Sequence, residues 1–383
     1  MQASARAFGE GGATNTKARR AAATLSAAEP RLILHIAGSC NKAAAARVFR
    51  DMRTQKPLLF AVLSLALALP GLVAHAGTNK DWAAAGPYKV DMQEAAWRDA
   101  ARGRELPVRL YLPVGVTNPC PVILFSHGLG GSRRAGEAWG RHWASHGYAC
   151  AHLQHPGSDE TVWRGNLRAM SALREAMDAE QWLARVGDVR FATDRLTELN
   201  RPGAALAGRL DLARIGLAGH SFGAGTTLGV TGQGSGRPLA GRASLADPRV
   251  KAGIALSPPV ARQGDLDAAY GGIRVPLLVM TGTLDDSPIS DTKAAERRIP
   301  YDHMAGPDKY LLIFDGGDHM VFGGGDRRRG AAARDPAIHR LIRLSSTAFW
   351  DAFLRDDPAA RAWLRTGGLS AAMQGQGSFE QKQ

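Results

Sequence analysis

The chain has 383 residues, 45% of them hydrophobic, and a formal net charge of +13. That length suits one large domain or two ordinary ones. The charge does not point to nucleic acid: residues 1–76 hold ten Lys/Arg against three Asp/Glu, and no long basic block follows them, so a nucleic-acid partner is not expected.

From Met52 the sequence reads MRTQKPLLFAVLSLALALPGLVAHAG. Arg53 and Lys56 precede an apolar run from Leu58 to about Val73, and Ala74-His75-Ala76 has the small-x-small pattern of a signal-peptidase site. The pattern predicts a signal peptide over 52–76, a mature start near Gly77 and an exported, periplasmic or secreted protein. No Cys follows the cut, which argues against a lipoprotein anchor. The alternative, an uncleaved anchor, would have an apolar run barely long enough to span. Because a signal peptide is N-terminal, residues 1–51 read as a mis-called extension before a true start at Met52, with a disordered or cleaved leader as the other reading. Cys40 falls in that leader. Cys120 and Cys150 begin two predicted strands, and an oxidising compartment leaves both a bridge and two buried thiols open.

Beyond residue 77 the chain reads as one α/β domain. YKVDM and LPVRLYLP form an opening hairpin pair. Short unbroken apolar runs follow at 121–126, 148–154, 213–219, 250–257, 275–282 and 310–317. Runs of that kind suit strands buried on both faces of a parallel sheet, and the segments between them are long enough for crossover helices. About eight strands are expected. Almost 60 residues separate Gln154 from Ala213, far more than one crossover needs, which predicts a helical insertion over 156–211. Within it Leu167, Met170, Leu173 and Met177 mark one amphipathic helix; Val189, Ala192, Leu196 and Leu199 mark another. Residues 322–335 read as a mobile Gly- and Arg-rich loop, a closing helix follows, and residues 370–383 are expected to fray.

The chemistry gathers around Gly219-His220-Ser221-Phe222-Gly223. This G-x-S-x-G lies between an apolar strand and a helix-compatible run, the context of a nucleophile elbow. A hydroxyl needs a base, and His319, after the last apolar strand, stands where the order Ser…Asp…His puts it. His220 is too close in the chain and reads as a packing residue. For the acid, Asp285 is favoured over its neighbour Asp286, both following the 275–282 strand; Asp318, next to His319, would have trouble reaching round to Nδ1. Two backbone N–H groups should form an oxyanion hole. Phe222 supplies one; Leu129, in the loop FSHGLGG, supplies the other.

Together FSHGLGGSRRAGEAWGRHWASHGYACAHLQHPGSD and GLAGHSFGAGT resemble the platelet-activating-factor acetylhydrolase and predicted dienelactone hydrolase branch of the α/β hydrolases, over residues 85–356. The resemblance implies an eight-stranded α/β-hydrolase fold and a metal-free serine carboxylesterase. Two departures matter. The plasma acetylhydrolases place their acid in a GIALD stretch, where this chain reads GIALSPP with Ser257; this implies an acid one strand later and groups the chain with bacterial relatives. Dienelactone hydrolases proper use a cysteine nucleophile, and here the residue is Ser221.

The expected activity is therefore ester hydrolysis through an acyl-enzyme, on a small-molecule or lipid ester. No metal or organic cofactor is expected, since Cys and His lack ligand spacing and no Rossmann or P-loop pattern occurs. No stable membrane anchor is expected after signal cleavage. An amidase, a peptidase or an acyltransferase would use the same residues, and a non-catalytic binding protein would use only the fold.

Overall fold

The structure, a computed structural model, describes residues 80–234, 244–262, 264–324 and 334–383. The expected leader, signal peptide and cleavage point, Cys40, and residues 325–333 of the Gly- and Arg-rich loop lie outside the described residues.

Among the described residues, nine strands form one mixed sheet in the order β1-β2-β4-β3-β5-β6-β7-β8-β9. They are β1 (Val90–Asp99), β2 (Arg104–Pro113), β3 (Cys120–Ser126), β4 (Ala149–Leu153), β5 (Leu210–His220), β6 (Val250–Leu256), β7 (Leu277–Leu284), β8 (Lys309–Asp318) and β9 (Gly377–Lys382). β3 to β8 are parallel, with antiparallel pairings of β1 with β2, β2 with β4, and β8 with β9. The described helices are α1 (Glu137–Ser145), α2 (Ala169–Glu175), α3 (Ala179–Leu199), α4 (Phe222–Thr231), α5 (Leu266–Tyr270), α6 (Ile299–His303), α7 (Asp335–Leu354), α8 (Pro358–Arg365) and α9 (Gly368–Met373). One sheet face packs against α1 and α7 to α9; the other meets α3 over β2 to β5 and α4 to α6 over β6 to β8. This is the α/β-hydrolase fold, and its doubly covered sheet explains why β3 to β8 read as continuous apolar runs.

The ninth strand corrects two expectations, the count of eight and the frayed tail over 370–383. α9 is helical to Met373, and β9 pairs with β8 from Lys309↔Lys382 to Phe314↔Gly377. A polar segment succeeds here because backbone groups supply the ladder on a sheet edge, where only one face must be apolar. Phe379 supplies that face, stacked on Tyr310 with ring centroids 6.5 Å apart.

Cys120 and Cys150 are free and buried. β3 and β4 are parallel neighbours with Ile123 opposite Cys150, so Cys120 lies three residues further along, about 10 Å at strand rise. An odd offset also sends the side chains to opposite faces, and the two thiols belong to different core clusters. A bridge is geometrically excluded.

Candidate active site

The carboxyl ends of the parallel strands deliver the predicted residues to one place, the usual ligand position in an open α/β sheet. Leu129 follows β3, Ser221 follows β5, Asp285 follows β7 and His319 follows β8. Ser221 caps α4 with φ 55° and ψ −119°, a strained backbone for a residue with a side chain. Its neighbours explain how the turn closes. A Cβ on Gly219 would collide with the Gly223 carbonyl, and one on Gly223 with the Ser126 carbonyl. Only glycine lets β5, α4 and β3 approach this closely.

His319 Nε2 lies 3.0 Å from Ser221 Oγ, and His319 Nδ1 lies 2.8 Å from Asp285 Oδ1. Asp285 is fully buried, whereas Ser221 is half-buried. The neighbouring carboxylates are engaged elsewhere. Asp286 accepts from the Ala294 amide and pairs with Lys293 at the surface; Asp318 accepts from the Met320 and Val321 amides. His220 turns away from the nucleophile, with Nε2 2.9 Å from the His319 carbonyl, and burial keeps it neutral by pushing its pKa well below the ordinary value. It thus braces the loop that carries His319.

Phe222 opens α4, where the first amides of a helix have no intrahelical acceptor. Across from it, Gly130 N–H donates to Ser158 O and Gly131 N–H to Gly128 O, which fixes the loop on both sides of Leu129. A Cβ added to Gly128 would lie 3.2 Å from His220 Nδ1 and 3.4 Å from Ser221 Cβ, so a side chain there would crowd both. Leu129, Ser221, Phe222 and His319 all border one cavity of about 660 Å³. Met177 and Trp182 from the insertion, Pro259 after β6 and Ile289 after β7 form much of its remaining wall. The second stripe of the insertion forms α3, burying Val189, Ala192 and Leu196. The first does not form a buried face. Only Ala169–Glu175 is helical, Leu167 is fully exposed and Met170 is turned out, because a seven-residue helix at the mouth has no sheet surface to cover.

The sequence reading missed a buried layer beneath the 127–131 loop. Arg185, on α3, donates to the His127 carbonyl at 2.6 Å and to Ser158 Oγ at 2.8 Å, and its guanidinium lies 4.5 Å from the Phe222 ring centroid. Burial pulls its pKa down to about 9. His127 Nε2 accepts from the His155 amide at 3.0 Å, so its Nδ1 carries the proton and donates to Gly128 O. Ser126, His155 and Asp188 repeat the Ser-His-Asp atom types at 2.9 and 3.0 Å. All three are fully buried and none borders the cavity that Ser221 lines, so they read as a scaffold. Arg185 and Asp188 fall in phase with Val189 and Ala192 on α3, the one sequence signal that they face inward. Behind Asp285 a second buried cluster, Ser257, Thr281 and Arg297, also went unread.

Among the described residues no His/Cys/Asp/Glu group could hold a metal, and no helix is long and apolar enough to cross a membrane. Comparison with known proteins agrees with the fold. The family described as platelet-activating factor acetylhydrolase, isoform II, matches residues 103–183, a stretch that includes the loop carrying Leu129 and ends before Ser221. A platelet-activating factor acetylhydrolase of Cavia porcellus is 26% identical over 220 residues, covering 50% of this chain and 47% of that protein. The chain thus spans about half the length of the curated relative it matches. The chain has the α/β-hydrolase fold and, over part of its length, is similar to platelet-activating factor acetylhydrolases.

Proposed function

We propose that the protein is a serine carboxylic-ester hydrolase with Ser221 as nucleophile, His319 as base and Asp285 as the acid that orients it. The observation that carries this reading is the continuous chain from Ser221 Oγ, which borders the cavity, to His319 and the buried Asp285. His319 Nε2 takes the Ser221 proton as the hydroxyl attacks an ester carbonyl. Asp285 accepts from Nδ1–H and stabilises the imidazolium. The Phe222 and Leu129 amides receive the developing oxyanion. Nε2–H then protonates the leaving alcohol, and water repeats the sequence on the acyl-enzyme.

The apolar wall formed by Met177, Trp182, Pro259 and Ile289 favours esters with an apolar acyl or alcohol group. The resemblance to acetylhydrolases points the same way, toward lipid or small esters. Export, read from residues 52–76, belongs to the same proposal and is tested by N-terminal sequencing of the protein recovered outside the cytoplasm, which should begin near Gly77. The activity is tested with p-nitrophenyl esters of increasing acyl length. The wild type should turn them over. Ser221→Ala should retain only the residual supplied by binding and oxyanion donors, roughly 10³–10⁴ over water. Equal rates for the two proteins would remove Ser221 from the mechanism.

A further inference from the structure

Arg297 lies on the short 3-10 turn Ala294–Arg298 between β7 and α6, yet its side chain is only 2% exposed. The guanidinium reaches three strand ends at once. Nε lies 2.9 Å from Asp285 Oδ1 and 2.6 Å from the Asp285 carbonyl. Nη1 donates to the Ser257 and Pro258 carbonyls at 3.0 and 2.9 Å. Nη2 lies 3.1 Å from His319 Nδ1. Ser257 adopts φ 55°, and its hydroxyl sits 2.7 Å from Asp285 Oδ1 and 2.8 Å from His319 Nδ1. Thr281 donates to the other carboxylate oxygen at 2.8 Å.

Burying a guanidinium is costly unless its donors are matched, and here the matching acceptors are the Asp285 carboxylate and the Asp285, Ser257 and Pro258 carbonyls, while Nη2 packs against the His319 ring edge. We infer that Arg297 is a positioning residue for acyl transfer, locking the Asp285 carboxylate and the His319 ring in register from behind the site. The inference rests on the reading of Ser221 as nucleophile. Its fork does two separable things. It fixes geometry, through contacts that only a planar guanidinium spans. It also puts a fixed cation beside Nδ1, which opposes formation of the imidazolium. Removing that charge should move the acidic limb of kcat/KM to higher pH. The other titratable groups around the imidazole are Asp285, His220 with its ring centroid 5.0 Å away, and Asp318 next in the chain; Asp286 and Glu296 act on Arg297 itself. All are retained in the variants.

The test compares full-length wild type, Arg297→Met and Arg297→Lys on a soluble p-nitrophenyl ester across pH, with active sites counted by fluorophosphonate titration and folding followed by circular dichroism. Arg297→Met should shift the acidic limb upward by about 0.5–1 pH unit and lower kcat per active site about 10- to 100-fold, with KM little changed. Arg297→Lys should keep the limb near its wild-type position and still lose about tenfold in kcat. A folded Arg297→Met with an unmoved limb and unchanged kcat per site overturns the inference. If Arg297→Met does not fold, Arg297→Lys decides, and wild-type kcat in that variant overturns it. A purely structural arginine would lower the melting temperature and the titrated fraction while leaving both per-site readouts in place. An inactive wild type overturns the acyl-transfer reading first, and this inference with it.

Discussion

Ser221 holds its strained backbone because three chains meet at the elbow, and the energetic consequences fall on the glycines around it. Gly223→Ala would drive a methyl group into the Ser126 carbonyl; with backbone on both sides the clash cannot be relieved by a rotamer change. Loss of about 2–4 kcal/mol and of most activity is expected, measured by denaturant unfolding and ester hydrolysis. The acid assignment gives a sharper contrast. Asp285→Asn should leave the protein folded and lower kcat by ~10⁴, because an amide cannot hold the imidazole in the tautomer with Nδ1 protonated. Asp286→Asn removes a surface partner of Lys293 and an Ala294 amide contact, and should cost far less. Kinetics of the two variants side by side check this, and reversed effects would move the role to Asp286. Sequence could narrow the proposed acid to Asp285 or Asp286 because both follow an apolar strand that lies between Ser221 and His319 in the chain. It could not foresee Arg297, whose partners lie 12 and 40 residues back along the chain, at Asp285 and Ser257.

The insertion between β4 and β5 works as two elements with different duties. α3 closes the sheet with Val186, Val189, Ala192 and Leu196 and sends Arg185 beneath the 127–131 loop. Its first turn presents Trp182 to the cavity, with Nε1 2.9 Å from the Gly225 carbonyl. Just before α3, Met177 borders the same cavity, whereas Met170 is exposed on α2 and does not. Met177→Phe should therefore change the ratio of kcat/KM between short and long acyl esters by a few-fold to about tenfold, and Met170→Phe should leave it unchanged. Steady-state kinetics with a chain-length series distinguishes them. Both methionines sat in one helical stripe in the sequence, and periodicity alone could not separate them, since it records a shared face and not where the helix stops. The C-terminal strand shows the reverse problem. Its composition reads as solvated tail, yet six residues add to the edge of β8. Phe379→Ala should cost about 1–2 kcal/mol by removing its packing on Tyr310, read as a fall in melting temperature without loss of per-site activity.

Over the whole molecule, the parallel strands were readable because both faces of β3 to β8 are covered and each carries an unbroken apolar run. The buried polar layers were not, since each polar group is tolerated only through partners remote in sequence. Those layers set the response to acid. His142 and His152 are pushed down to about 3 and His155 to about 4, in each case mainly by burial, which for His155 outweighs the Asp188 partner. His127 and His220 are lowered well below the ordinary value for the same reason. These groups are neutral when folded but protonate near pH 6.5 when unfolded, so the unfolded state binds more protons below that pH. Stability should be fully present above about pH 6.5 and fall as the pH drops towards 4. Thermal melts from pH 7 to 4 check the sign. The central claim concerns one atom, Ser221 Oγ. Its most direct measurement is intact-mass and peptide mapping after reaction with a fluorophosphonate, on wild type and Ser221→Ala. One adduct per chain, on the peptide carrying Ser221 and absent from the variant, is the predicted result; an adduct on another residue, or equal labelling of Ser221→Ala, would contradict it.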